Sequence, residues 1–385
     1  MKRIIIVNLG IIIIFTLILG CNSKQATSLP NDLAQVPQSP QTPKLTNTQI
    51  LVPTVTPISF QSAVENDMFR EQKELDTSSI KHDRDNQQII FISPDESQLF
   101  VENGFWNLEK QTFNQRTFST LNSYGNNWTR SVQLENGDVA VLTTVPDTST
   151  DAHSSAVKTS GTIQIKILQM KYLTTVSTQS VDFEFEDSIE EMSLSPDGSI
   201  LAVGLHNGTL YLVDVKTNDI ITSFKAHNVI SEMGYKFAFR RIMFNHDGSA
   251  LATSGMENIV KVWNANDFSE IAAMQGTRPV FSPDRKYLAC VYDDQQILVQ
   301  SLVDDSDQTF FPGHEKRTLE LEFSNDSRFL ISTGWYNIKV WSIEKKELVN
   351  EFLDVDGVIS IALNSDNTRF YVTYYEGGIG VWGID

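Results

Sequence analysis

Within residues 193–214 two short apolar runs, 200–204 and 209–213, each follow a cluster of turn residues, Pro196-Asp197-Gly198 and His206-Asn207-Gly208. Short β-branched and apolar runs bounded by Asn, Asp, Gly and Pro predict strand, tight turn, strand. The pattern returns along the chain when it is pinned on its turn acid. The copies are FISPDESQLFV at Asp95, QLENGDVAVL with Asn136 in the acid's place, LSPDGSILAV at Asp197, FNHDGSALAT at Asp247, FSPDRKYLAC at Asp284, FSNDSRFLIS at Asp326 and LNSDNTRFYV at Asp366. The steps between them are 41, 61, 50, 37, 42 and 40 residues. Seven copies at such a period predict one supersecondary unit repeated in a single array. After residue 75 no stretch sustains the apolar spacing of an amphipathic helix.

Fifteen or sixteen residues after most turn acids an apolar run closes in a fixed place, as YLVD, VKVWN, ILVQS, IKVWS and IGVWG. Trp263, Trp341 and Trp382 fill that place, Val213 holds it in the third copy and Val299 comes close to it in the fifth. Ser254-Gly255 stands before one turn, and Gly313-His314 matches a Gly-His pair. On these residues the chain, from about residue 60 onward, resembles the WD-repeat β-propellers. The resemblance implies an all-β fold, a seven-bladed β-propeller of four-stranded antiparallel blades. Each copy would supply three inner strands and the link to the next copy the outer one, as at 219–224 and 270–275. It also implies that His314, and with less support His227 after Ala226, hydrogen-bond inside a blade. The family's buried network runs through His, Asp, Ser and Trp. With Asn207 and Glu257 in the Asp place of the third and fourth copies, no copy is expected to hold it complete. The seventh copy stops after its third strand, and in this family an N-terminal segment commonly closes the ring and removes its open edges. Segments 50–60 and 62–69 are the candidates, and the sequence does not choose between them.

Three regions follow: a leader at 1–21, a tether at 22–60 and the propeller at 61–385. The leader has Lys2 and Arg3, an apolar run from Ile4 to Leu19, then Gly20 and Cys21. A positive start before a short apolar core is an export signal. Its ending resembles the bacterial lipobox, which implies a diacylglycerol on the Cys21 thiol. An uncleaved signal anchor is the alternative, since the run is nearly long enough for a short span. Asn22 rather than Asp follows the Cys, so by the lipoprotein rule an inner-membrane retention signal is absent. The tether is Gln, Ser, Thr and Pro, with six of the chain's twelve prolines. It has too little apolar surface to repay ordering, and as a flexible coil it spans about 35 Å.

The formal net charge of -18 disfavours nucleic acid, which rewards cations that displace counterions from phosphate. Of the two cysteines, Cys290 lies in an apolar run as a buried thiol, so no disulfide is expected if Cys21 is lipidated. The six histidines show no metal-ligand spacing, and neither a nucleophile elbow nor a phosphate-cradling loop is present. No metal, no cofactor and no catalytic residues are expected.

The excess length of the long steps falls at 146–161, between a second and a third strand, and at 226–238, between an outer strand and the next inner one. These two connections leave a propeller on the same face. The second concentrates Met233, Tyr235, Lys236, Phe237 and Arg240, residue types that carry interface energy. They are the candidate partner site, with Tyr235, Lys236 and Phe237 expected in loop, and Phe239 and Ile242 beginning the inner strand. The reading favoured is a lipid-anchored extracytoplasmic protein on a bacterial membrane whose propeller binds a protein or peptide. The alternative is an enzyme or small-ligand sensor acting at the central channel. Acids, His or Arg at the channel mouth beside a pocket would favour the alternative; a shallow channel of small residues would favour the scaffold.

Overall fold

In a computed structural model the described residues are 69–75 and 89–384, apart from 94, 96, 102–103, 109, 111, 116–128, 147–158, 170–173, 233–234, 294, 354–356 and 375–378. Among them are seven four-stranded antiparallel sheets, one two-stranded hairpin and no helix. Six of the seven sheets take their strands in chain order, as the third does with Ile189–Leu194, Ile200–Leu205, Thr209–Asp214 and Ile220–Lys225. The first strands touch in succession: Ile89–Ile92, Thr129–Gln133, Ile189–Leu194, Phe239–Phe244, Thr277–Phe281, Glu320–Phe323 and Val358–Leu363, with the last meeting the first. Each sheet is therefore a blade, and its first strand lines the centre of a closed ring.

The seventh blade is completed from the other end of the array. Strand Phe69–Leu75 pairs antiparallel with Ile379–Ile384, from Phe69 opposite Ile384 to Leu75 opposite Ile379. The closing strand thus begins at the last residue of the candidate segment 62–69; residues 50–68 lie outside the described residues. The shift has a physical reason. Outer strands are half solvated, as the largely exposed Ile220–Lys225 and Glu270–Gln275 show, so an outer strand needs backbone partners more than an apolar run. The polar sequence FREQKEL meets that need without advertising it.

Turn chemistry recurs from blade to blade. Asp197 Oδ1 accepts the Ser195 hydroxyl at 2.6 Å and the Ser199 N–H at 3.0 Å, while Ser195 Oγ accepts the Ile200 N–H at 2.8 Å. Asp284 and Asp326 repeat the arrangement with Ser282 and Ser324. In two other blades Asn245 and Asn364 take the serine's place towards the following strand. Satisfying these backbone groups fixes the hairpin and hence the strand register. Four residues after each turn acid, or after Asn136, a residue faces the closing position. The pairs are Leu99 with Trp106, Ala140 with Ile167, Leu201 with Val213, Leu251 with Trp263, Leu288 with Gln300, Leu330 with Trp341, and Phe370 with Trp382. Register therefore moves the fifth copy's closing residue from Val299 to Gln300, and it gives the first copy a tryptophan, Trp106.

The core consists of wedges between adjacent blades. One of them joins Val280, Ile297, Val299 and Phe311 of the fifth blade to Leu321, Phe323, Leu330 and Trp341 of the sixth. An outer-strand phenylalanine meets the next blade's tryptophan in three of these wedges: Phe224 with Trp263 at 4.7 Å, Phe311 with Trp341 at 5.1 Å and Phe352 with Trp382 at 5.6 Å between ring centres. Between the fourth and fifth blades Met274 and Gln300 stand at the two corresponding register positions, so both partners depart together. The long step at 146–161 lengthens strands rather than forming loop throughout: Val139–Pro146 and Thr159–Gln169 pair as far as Pro146 opposite Gly161.

Candidate functional site

Since the strands of a blade alternate in direction, the connection into each inner strand and the connection between its second and third strands leave the ring at one end. At that end the inner strands begin. The channel they enclose has a volume of about 1270 Å³ and runs from Arg240, Arg278 and Glu320 there to Pro196, Asn325 and Ser365 at the other end. Its wall is charged where the strands start. Glu320 lies 3.0 Å from Arg241 and 3.9 Å from Arg278, so one carboxylate serves two guanidiniums. Arg278 is held with a φ of 54°, in the left-handed region, just inside the inner strand Thr277–Phe281. Burial lowers its pKa, as do the like charges of Arg317, Arg241 and Arg240, against the pull of Glu320. For Arg241 burial also acts downward, but the charge and hydrogen bond of Glu320 outweigh it and raise the pKa. Desolvation pushes the half-buried Glu322 carboxyl up to about 8, with Glu320 adding to the shift and Arg241 opposing it.

Beside this mouth stands the two-stranded hairpin, Ile230–Glu232 paired with Tyr235–Phe237. Tyr235, Lys236 and Phe237, expected in loop, therefore lie on a strand: the excess length of the copy is used to pair with itself. Met233 lies outside the described residues. Phe239 and Ile242 are buried on the inner strand as expected, and Arg240 between them is exposed and lines the channel. The end of the hairpin is fixed from the neighbouring blade. Glu190 Oε2 accepts the backbone N–H groups of Ala238 at 2.9 Å and Phe239 at 3.0 Å. Burial raises the Glu190 pKa to about 7 in spite of those two bonds.

Two buried relays hold the same face, and here the expectation of incomplete networks is corrected. In the fourth blade Trp263 Nε1 donates to Thr253 Oγ1 at 3.0 Å, Thr253 lies 2.8 Å from His227 Nε2, and His227 Nδ1 lies 2.8 Å from Glu257. In the sixth blade the corresponding chain is Trp341, Ser332, His314 and Asn337, at 2.9, 2.8 and 2.5 Å. Indole N–H can only donate, so the hydroxyl passes its own hydrogen to Nε2 and the imidazole keeps its proton on Nδ1 for the acceptor. Any short side chain with an oxygen in that place completes the chain, which is why Glu257 and Asn337 substitute for Asp. Burial keeps both rings neutral, lowering the pKa of His227 and taking that of His314 to about 4.

Cys21 lies outside the described residues, and Cys290 is buried, with its thiol pushed up to about 12 by burial. Among the described residues no cluster of His, Cys, Asp and Glu could hold a metal ion, and no helix is long and apolar enough to cross a membrane. Sequence reading missed Glu190, Arg278, Glu320 and Glu322. The signal that could have found them is charge at the start of an inner strand, positions that Ile89 and Val358 fill with apolar residues.

The ring, its repeated turn and its Trp-to-His relays give this chain the fold of a β-propeller, and the model for WD domain, G-beta repeat matches residues 306–342. The model for KNTC1, N-terminal, matches residues 154–271. Among curated proteins the chain is similar to apoptotic protease-activating factor 1 of Rattus norvegicus, 21% identical over 209 residues, which cover 54% of this chain and 13% of that protein. It is also similar to transcription factor unc-37 of Caenorhabditis elegans, 22% identical over 200 residues, or 50% of this chain and 31% of that protein. WD repeat-containing protein 44 of Xenopus laevis is 27% identical over 160 residues, 37% of this chain and 18% of that protein. The chain spans less than a third of the length of each of these relatives.

Proposed function

We propose that this protein is a bacterial envelope lipoprotein, held to an extracytoplasmic membrane surface through Cys21, whose propeller binds a protein partner on the face that carries the hairpin. The observation that carries the reading is that strand Tyr235–Phe237 leads directly into the inner strand that bears Arg240 at the channel mouth, the link being held by Glu190 of the neighbouring blade through the Ala238 N–H. The hairpin sequence is rich in the aromatic and cationic residue types from which interface hot spots are built. Crosslinking and pull-down of the full chain from its native envelope tests it. Tyr235→Ala with Phe237→Ala is expected to lower partner recovery about tenfold with the melting temperature unchanged. Unaltered recovery, or a large loss of stability, removes the hairpin from the interface. Anchoring has its own readout: Cys21→Ala abolishes acyl labelling, and continued labelling of that variant overturns the lipid anchor.

One observation favours a second reading, a small-ligand sensor or enzyme at the channel. The channel is not lined by small residues alone; Arg241, Arg278, Glu320 and Glu322 enter a cavity large enough for a ligand. Ligand-induced thermal stabilisation across a metabolite panel, lost on substitution of Arg278, distinguishes it from the scaffold.

A further inference from the structure

The charge at the channel mouth is out of balance in a direction opposite to the whole chain. Arg240, Arg241 and Arg278 line it, and the charge of Arg317 bears on Arg278 from the same end. Against the four guanidiniums stand Glu320, already shared between two of them, Glu191, which lines the channel and acts on Arg241, and Glu322, whose carboxyl desolvation pushes up to about 8. Arg240 is exposed at the start of the inner strand. A cationic mouth on a protein of net charge -18 is a local feature that attracts and orients an anion, while the remaining surface repels it. The guanidiniums rise from separate blades, from the inner strands Phe239–Phe244 and Thr277–Phe281 and the approach to Glu320–Phe323. That spacing suits several anionic groups in a row better than one small ion, and each guanidinium fork matches a planar carboxylate.

We propose that this mouth binds an acidic peptide segment, with carboxylates of successive side chains taken by Arg240 and Arg278. The proposal rests on the reading of the propeller as a protein-binding scaffold and gives its partner a chemistry. It does not require the hairpin to be part of the contact.

Fluorescence anisotropy tests it, using the full chain and a labelled decapeptide of alternating Glu and Ser, with the Gln and Ser peptide as its neutral counterpart. The Glu peptide is expected to bind at least about tenfold tighter than the Gln peptide, and Arg240→Glu to remove that difference while Arg240→Lys keeps part of it. Lys216→Ala, in an exposed turn at the opposite end of the ring, is expected to change nothing. Arg240 is exposed, so its variants are expected to melt as the parent does, and the melting curve is recorded for each. Equal binding of the two peptides, absence of binding, or an equal loss in Lys216→Ala overturns the proposal. So does displacement by free glutamate as effective as that by the Glu peptide, which would assign the mouth to a small anion. If the native partner is still captured while the Glu peptide is not bound, this inference falls and the scaffold reading stands.

Discussion

Trp263 and Trp341 set the polarity of the relays that end in His227 and His314, because an indole nitrogen has a hydrogen to give and nothing with which to accept. Removing the hydroxyl in the middle strands both neighbours. Thr253→Val is nearly isosteric, yet it leaves the Trp263 N–H and His227 Nε2 without partners, and about 1–3 kcal/mol of stability is expected to go. The seventh blade supplies the converse. Val372 stands where Thr253 and Ser332 stand in their blades, and the buried Trp382 Nε1 has no hydrogen-bond partner among the described residues. Val372→Thr offers that nitrogen an acceptor and is expected to leave the thermal midpoint unchanged or raised, whereas Thr253→Val lowers it. Equal losses from both would show that the hydroxyls are spectators. Gly255 and Gly334 belong to the same design: a Cβ on either would collide with the histidine nitrogen that points at its acceptor. These relays were only half legible in the sequence. His314 announced itself through Gly313 and Glu257 stood in the Asp place, but Asn337 was not recognised and neither acceptor was expected to complete a relay, because the geometry asks for an oxygen within reach and does not fix the residue type.

At the scale of the element, the turns and the outer strands at 220–225 and 270–275 were legible, whereas the closing strand and the hairpin were not. Ser195, Asp197 and their equivalents carry their hydrogen bonds within five residues of chain, so local sequence specifies them. Strand Phe69–Leu75 is specified by a partner more than three hundred positions away, and the hairpin Ile230–Glu232 with Tyr235–Phe237 by a surplus of length. Residues in either element show no apolar alternation strong enough to declare a strand. Deleting residues 69–75 is expected to lower the thermal midpoint sharply by baring both Ile379–Ile384 and the adjoining core, while deleting 22–45 leaves it unchanged. Equal effects of the two deletions would mean that the first strand contributes little to closure.

For the whole molecule, the charged mouth gives stability a defined dependence on pH. Glu322 and Glu190 have folded pKa values of about 8 and about 7, above the ordinary carboxyl value of 4.5, so the folded state holds their protons more tightly than the unfolded state does. Their contribution is complete at acid pH and is lost as pH rises through those values. The buried histidines act oppositely, but only below their ordinary value of 6.5, and Asp247, lowered to about 2, only below the carboxylate range. Between pH 6.5 and 8.5 the two glutamates therefore stand alone among these groups. The melting temperature is expected to fall over that interval, and to fall less in Glu322→Gln; a parallel slope in the variant would assign the dependence elsewhere. None of this was visible in the sequence, where seven similar repeats hide which inner-strand charges meet across the channel. Repeat number, by contrast, needed only periodicity, and it fixed the architecture.

Because Phe69–Leu75 completes its sheet against Ile379–Ile384, a strand made early in synthesis must wait for one made almost last. Six blades can each be assembled from contiguous sequence as they emerge, but the seventh cannot, and until it forms the ring has two bare edges. Loop closure over such a span is slow, and open sheet edges recruit other chains. The interval between the making of residue 75 and that of residue 379 is therefore the period in which the polypeptide is most exposed to aggregation and to chaperone capture. A nonsense mutation anywhere before residue 379 would prolong that interval indefinitely.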